Sequence, residues 1–530
     1  MPVETRHFKL TARRSTSKPE ALRTTMKKTF LLSIASFALA AGLVQHSANS
    51  AADGAPGFGQ SQPAEDEGSA ARVARIENDL PPAVVIKGQA VRGMKLSERM
   101  QFYKVPGVSV AFFDHGKIIW ARAYGLADTA TKKPVTPETL FQAASISKPV
   151  SALAALLLVQ EGKLSLDGNV NDKLRRWKIP DNQFTRQQQV TVRRILSHSA
   201  GITVPGFPGY ASDEPIPTLA EILNGEKPAN TGPIRVDVVP GTIARYSGGG
   251  YVVLQTLLSD VTGKPFPEVM DELVLRPAGM THSTYAQPLP RNLWPLAATP
   301  YGDNGEAVKG GWHTYPEMAP AGLWTTPSDL ARMAVAVQNG YVGKSSKILS
   351  QPMVREMLTH QKDWWGLGFA LESPGHKAKF AHAGENEGYR CELEAYTEMG
   401  PGLAVMTNSD SGEPLIQELL RAVAKEYSWP DFQPIERAVA KIDPAILGAY
   451  AGIYQDPNAG KITVSLNNDA LYIEAAPRGP GPEKLYPESS TDFFILSNDV
   501  TVTFQKGEKG NVSKIIVHAF GHSFEVRKTS

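Results

Sequence analysis

A chain of 530 residues, 42% hydrophobic and 20% charged, has ordinary globular composition and a length that suggests about two to four domains. Its 55 basic residues stand against 53 acidic ones, a formal charge of +2, so the balance excludes nucleic acid and anionic membrane surfaces as expected partners. Cys391 is the single cysteine, so no intramolecular disulfide can form and an exported chain would rely on its core.

The first organised signal is Met26-Lys27-Lys28, followed by the apolar run "TFLLSIASFALAAGLV" and small residues as far as Ala52. A charged head, an apolar centre and a small-residue tail predict a signal peptide over 26–52 and a periplasmic or secreted protein. Residues 1–25 then read as an extension upstream of a true start at Met26. The run is too short for a comfortable bilayer span and no later stretch reaches about 18 apolar residues, so no stable membrane span is expected after signal removal. Residues 53–82 are rich in Gly, Pro, Ala and Glu and read as a disordered leader.

Mixed helix and strand signals occupy 83–428. "GVSVAFFDHGKIIWARAYG" (107–125) predicts a hairpin turning at Asp114-His115-Gly116. Helical patterns follow at 147–161, around 190–197, and at 250–262, 327–339 and 413–427. Strand signals return between Phe369 and Ser409. Strands at both sequence ends with helices between them predict an α+β domain whose sheet is completed late. Prolines and charges mark 429–443 as a linker. From 444 to 530 the period switches to two: "KITVSL" and "LYIEAA" flank Asn467-Asn468-Asp469, and further short strands follow, predicting a small antiparallel β-barrel.

The chemistry-bearing pair is Ser145 and Lys148 in "AASISKPVSALAALLLVQ". Residues i and i+3 share a helix face about 5–6 Å apart, so the hydroxyl and the amine project together. Pro149 belongs in a first turn, which puts Ser145 at the positive end of the helix, where free amides favour a developing oxyanion. Apolar residues around most of the circumference make the helix interior. A lysine desolvated there loses its charge readily and becomes a base for the serine. The spacing alone is weak, since Ser15 and Lys18 match it too.

Context supplies the specificity. Ser145-Ile146-Ser147-Lys148, then Tyr246-Ser247-Gly248, then His382-Ala383-Gly384 resembles the ordered motifs of the serine β-lactamase and penicillin-binding protein superfamily. Its class C branch, with D-peptidase and esterase relatives, is the nearest match in pattern. "ILSHSAGI", "RPAGMTHSTY", "PAGLWTTPSDLARM" and "WGLGF" extend the resemblance over roughly 90–425. The resemblance implies an antiparallel sheet flanked by helices plus an all-helical subdomain, followed by a lipocalin-like β-domain at about 444–530. It also implies an acyl-enzyme on Ser145, Lys148 as base or proton relay, and Tyr246 as phenolate or proton carrier. His382 becomes a proton donor or electrostatic clamp, and the amides of Ser145 and Glu385 an oxyanion hole. Ala383, Gly384, Gly248 and Arg390 are the implied substrate contacts, Arg390 also having a plain surface or strand-pairing role open to it.

Two departures matter. Gly248 stands where the superfamily usually has Asn, and His382 where it usually has Lys. Both weaken recognition of a charged, acylamino-bearing substrate and lean toward a less charged ester or amide. The substrate, a small molecule or short peptide, stays open among ester, D-amino-acid amide or peptide, and β-lactam; a slowly deacylating penicillin-binding sensor is the alternative. His198 reads as a loop-ordering residue. Trp324, Trp364 and Trp365 could wall an acyl pocket or belong to the core. His376, His382 and Cys391 share no metal-ligand spacing, so neither metal nor cofactor is expected. No G-x-S-x-G elbow is present, which removes an α/β-hydrolase. Oligomeric state is left open.

Overall fold

Strand β2 (Gly107–Asp114) is buried on both faces: Ala111 and Phe113 enter one apolar cluster, while Val108, Val110 and Phe112 enter another. Successive side chains point to opposite sides of a strand, so such a sequence can only lie between two packed layers. The computed structural model describes residues 67–90, 92–344, 347–372, 378–398, 400–456, 460–476, 481–507, 511–519 and 522–529. The proposed extension, the signal segment, the leader up to residue 66 and His376 lie outside the described residues.

In chain order the elements that place the site are α1 (Glu67–Asn78), β1 (Val84–Ile86), α2 (Leu96–Phe102), β2, β3 (Lys117–Asp128), β4 (Lys133–Pro134) and β5 (Phe141–Gln142). A 3₁₀ turn (Ala144–Ile146) then leads into α3 (Ser147–Gln160), followed by α4 (Val192–Leu196), α5 (Gly248–Thr262), β6 (Trp324–Thr325) and α6 (Pro327–Tyr341). The sheet is completed by β7 (Ala370–Glu372), β8 (Lys379–Asn386), β9 (Tyr389–Tyr396) and β10 (Gly402–Thr407), and α7 (Gly412–Glu426) closes the domain. The order across this seven-stranded sheet is β4-β3-β2-β10-β9-β8-β7. Strand β10, late in sequence, pairs antiparallel with both β2 and β9. The hairpin expected at 107–125 is present as β2 and β3. One face carries α3, α5 and α6, and the other carries α1, α2 and α7.

Residues 67–82 depart from the disordered leader expected of them. Val73 and Ile76, three positions apart, are buried against the α7 cluster, and Arg75 pairs with Glu426 at 2.7 Å. A composition averaged over the whole segment hides one apolar pair at helical spacing. The expected linker also contains structure: β11 (Ile435–Arg437) lies parallel to β1.

Beyond it, β12 (Gly452–Asp456), β13 (Gly460–Asn467), β14 (Ala470–Ala476) and β15 (Glu483–Pro487) begin a closed antiparallel barrel. It is finished by β16 (Asp492–Phe494), β17 (Val500–Lys506), β18 (Val512–Ala519) and β19 (His522–Lys528). Ile462, Val464, Leu471, Val502, Phe504, Ile515 and Val526 fill it, the inward half of each alternating pattern. Among the described residues no helix is long and apolar enough to cross a membrane.

Candidate active site

Helix α3 is buried around almost its whole circumference, from Ser147 to Leu156 without interruption. The turn ahead of it delivers Ser145. Ala144 there has φ +48°, a left-handed conformation costly for a residue with a Cβ, and the half-buried Ser145 follows directly. The backbone of β8 crosses close to this turn: a Cβ on Gly384 would lie 2.3 Å from the Ala143 carbonyl oxygen, so only glycine fits. That contact brings β8, which carries Glu385, against the turn that carries Ser145.

Lys148 is 2% exposed, and its Nζ donates to Ser145 Oγ at 2.9 Å and to the Pro320 carbonyl at 3.0 Å. Among the described residues no carboxylate pairs with it. Burial alone pushes its amine well below the ordinary lysine value. The amine also sits 4.7 Å from the centre of the Tyr246 ring. Tyr246 precedes α5, whose first turn is capped by Ser247: Oγ accepts from Gly250 N at 2.9 Å and donates to Thr203 O at 3.0 Å. The Tyr246 phenol is driven upward by burial, with a hydrogen bond from Ser145 offsetting part of the rise, so it keeps its proton at neutral pH.

His382 lies on β8 with its ring 6.4 Å from that of Tyr246. Its Nδ1 donates to the Ala383 carbonyl at 2.7 Å, which leaves Nε2 as a lone-pair nitrogen. Burial, then the neighbouring Lys148, lowers its pKa to about 3 against a smaller upward pull from Ala383. The ring is therefore neutral, with Nε2 as its acceptor.

Arg390 differs as well. Its guanidinium binds Glu385 Oε1 and Asp410 Oδ1, each at 2.8 Å, and two carbonyls of its own hairpin, so its charge is already committed. It steadies the strand that carries Glu385 and offers no free cation to a substrate. Gly248 is buried, its amide donating to Pro205 O at 3.1 Å. Trp364 is 48% exposed, and Trp324 packs against Trp312 and Tyr389. Only Trp365 of the three tryptophans enters the site, 5.8 Å from Tyr246 and 5.9 Å from His382 between ring centres. The Cys391 thiol is buried and donates to Gln142 O at 3.1 Å.

His198 orders a segment, and that segment carries Tyr246. Its carbonyl accepts from Arg245 N at 2.7 Å, its Nδ1 accepts from Ser247 N at 3.1 Å, and its ring lies tilted against that of Tyr246, 4.3 Å away between centres. Burial, then Lys148 and His382, keep it neutral. The sequence holds a hint of this in "ILSHSAGI", but the bracketing of Tyr246 is a tertiary contact. A cavity of about 620 Å³, lined by Asp213, Glu214, Glu306, Lys309, His313 and Glu387 among others, flanks the β8–β9 hairpin tip; none of Ser145, Lys148, Tyr246 or His382 borders it.

A serine hydrogen-bonded to a buried lysine without a carboxylate partner among the described residues, at the mouth of a buried helix and against an antiparallel strand, defines the β-lactamase class of serine hydrolases. The family model described as beta-lactamase matches residues 95–427, and the chain belongs to that family. A second model, described as a domain of unknown function (DUF3471), matches 436–529. The chain is 27% identical over 454 residues to penicillin-binding protein 4* of Bacillus subtilis (strain 168), covering 79% of this chain and 94% of that protein. It is 25% identical over 374 residues to penicillin-binding protein 4 of Amycolatopsis lactamdurans, 67% of this chain and 94% of that one. Among solved structures, the octameric penicillin-binding protein homologue from Pyrococcus abyssi superposes with a TM-score of 0.54 at 24% identity, over 82% of this chain and 98% of that chain, a likeness of fold.

Proposed function

We propose that this protein is an exported serine hydrolase that cleaves an ester or amide bond through an acyl-enzyme on Ser145. The observation that carries the reading is the 2.9 Å contact between Ser145 Oγ and the buried Lys148 amine. Lys148 Nζ takes the Ser145 proton as Oγ attacks the substrate carbonyl carbon. The negative charge that develops on the carbonyl oxygen is met by the N–H groups of Ser145 and Glu385, each such donor supplying about 3–4 kcal/mol of barrier lowering. On collapse the leaving alcohol or amine takes a proton from the Tyr246 hydroxyl, which regains one from Lys148. Water then repeats the attack on the acyl carbon, with the same groups working in reverse.

Among the described residues the site offers no free cation to hold a substrate carboxylate, because Arg390 is paired and His382 is neutral. That favours uncharged esters and amides over β-lactams. The test is a panel of p-nitrophenyl esters, D-alanyl peptides and a chromogenic cephalosporin, run beside Ser145→Ala. Ester turnover lost in the variant, with circular dichroism unchanged, supports the reading; turnover that survives the substitution refutes it. The relatives named as penicillin-binding proteins favour a second reading, a sensor that acylates and deacylates slowly. Intact mass after incubation with benzylpenicillin separates the two: a persistent adduct marks the sensor and rapid return to the free mass marks the hydrolase.

A further inference from the structure

Tyr246 leads into Gly248 through Ser247, whose backbone is extended at φ −142° and ψ 107°. In extended chain, residues two apart point to the same side. A side chain at 248 would therefore enter the cleft beside Tyr246. That space is already filled: a Cβ built on Gly248 would lie 2.9 Å from Cε2 and 3.4 Å from Cδ2 of Phe207, and 3.1 Å from the Pro205 carbonyl oxygen.

Phe207 is carried by a segment held by hydrogen bonds at both ends. At one end, Pro205 O and Val204 O accept from Gly248 N at 3.1 Å and Gly249 N at 2.9 Å. At the other, Pro208 O bonds the Tyr315 hydroxyl at 3.2 Å and His313 Nδ1 at 3.0 Å. Tyr315 in turn accepts from Glu387 N at 3.2 Å, two residues past Glu385. The strap thus joins the tyrosine wall to the strand wall. Val204 within it is held at φ +64°, a conformation a β-branched residue rarely adopts and keeps only where its surroundings enforce it.

We propose that Phe207 is the acyl-specificity residue of this enzyme, and that it selects esters and amides of narrow, apolar acyl chains. This rests on the serine-hydrolase reading and deepens it. An acyl chain lying on the Tyr246 side of the scissile carbonyl meets an aromatic edge there, with the Pro205 carbonyl oxygen beside it. A chain too wide for the gap is refused sterically.

The experiment measures kcat/KM for p-nitrophenyl acetate, butyrate, octanoate and N-acetylalaninate with wild type, Phe207→Ala, Phe207→Leu, Gly248→Ala and Phe207→Ala/Gly248→Ala. Phe207→Ala should raise the octanoate-to-acetate ratio at least tenfold, and Phe207→Leu, the gentler change for folding, should move it the same way by less. Gly248→Ala alone should lower kcat/KM on every ester by forcing the ring aside, and truncating Phe207 in the same chain should restore it. Ratios that stay within twofold of wild type across these variants, while intact mass shows Ser145 still acylated, overturn this inference and leave the hydrolase standing. A wild-type Ser145 that no ester acylates removes the hydrolase reading, and this one with it.

Discussion

Lys148 carries a lowered amine pKa in the fold, and the consequence for pH dependence has a definite sign. Catalysis needs the free amine, so kcat/KM should fall as pH drops through that depressed value, while His382, neutral above about 3, adds no limb of its own. The folded chain binds fewer protons at this site than the unfolded chain, so the buried amine costs stability at every pH below its unfolded value. Lys148→Met should therefore abolish turnover and raise Tm, a gain of about 1 kcal/mol showing as about 2–4 °C in calorimetry. A variant that melts lower than wild type at pH 7 would contradict the burial argument. Glu317 gives the opposite case. It is fully buried, and burial pushes its carboxyl up to about 8, with smaller opposing pulls from its own amide and Tyr210. The folded chain then holds a proton that the unfolded chain releases near 4.5, so this contribution is complete below that value and is lost as pH rises through about 8. Glu317→Gln should flatten the decline of Tm between pH 5 and 9, read by thermal melts across that range.

The turn before α3 and the strand β8 form one unit, because the strand backbone lies against Ala143. Gly384→Ala would drive a Cβ to within 2.3 Å of the Ala143 carbonyl, so strand and turn must separate and the amides of Ser145 and Glu385 move apart. The expected loss is about 10²–10³ in kcat, the cost of an oxyanion donor, with KM and far-UV dichroism little changed. Gly250→Ala is the matched control. Its nearest neighbour would be 3.6 Å away and the residue lies inside α5, so the variant should keep full activity and gain about 0.5–1 kcal/mol. These elements differ in how far the sequence displays them. The Ser145–Lys148 pair, α3 and α5 are legible because spacing, a proline in a first turn and an apolar circumference are local facts. Tyr246 is legible only through the order of motifs. The neutrality of His382 depends on burial beside Lys148, and the commitment of Arg390 on two carboxylates, all of which only folding brings to them. His198 and Phe207 are further still from view: one grips both neighbours of Tyr246 and the other fills the space over Gly248, and no spacing rule encodes either contact.

On the scale of the whole molecule, the barrel's period-two strands are plain in the sequence, whereas the seam that joins it to the catalytic domain is not. Among the described residues the joining contacts lie on the α2 and α7 side of the sheet, across from Ser145. Val84 N donates to Leu496 O at 3.0 Å, and Arg437 pairs with Glu488 at 3.1 Å and Asp499 at 2.9 Å. Glu483 of β15 is near Arg99 and Glu418, and burial raises its carboxyl. Arg99 and Glu418 form a buried ion pair that Tyr103 also joins, its hydroxyl donating to Glu418 at 2.8 Å. A barrel held by these contacts is expected to leave substrate size unscreened. They build a brace behind the sheet. Glu418→Gln would leave Arg99 buried with its countercharge gone, at a cost of about 3–5 kcal/mol. Arg437→Ala would cut both ion pairs to the barrel at a half-exposed position and cost about 1–2 kcal/mol. Urea melts of the full chain should place both variants below wild type in that order, while the octanoate-to-acetate ratio of kcat/KM stays at the wild-type value in each. A ratio that shifts in Arg437→Ala would mean that the barrel reaches the substrate after all, because that residue touches the active site only through the seam.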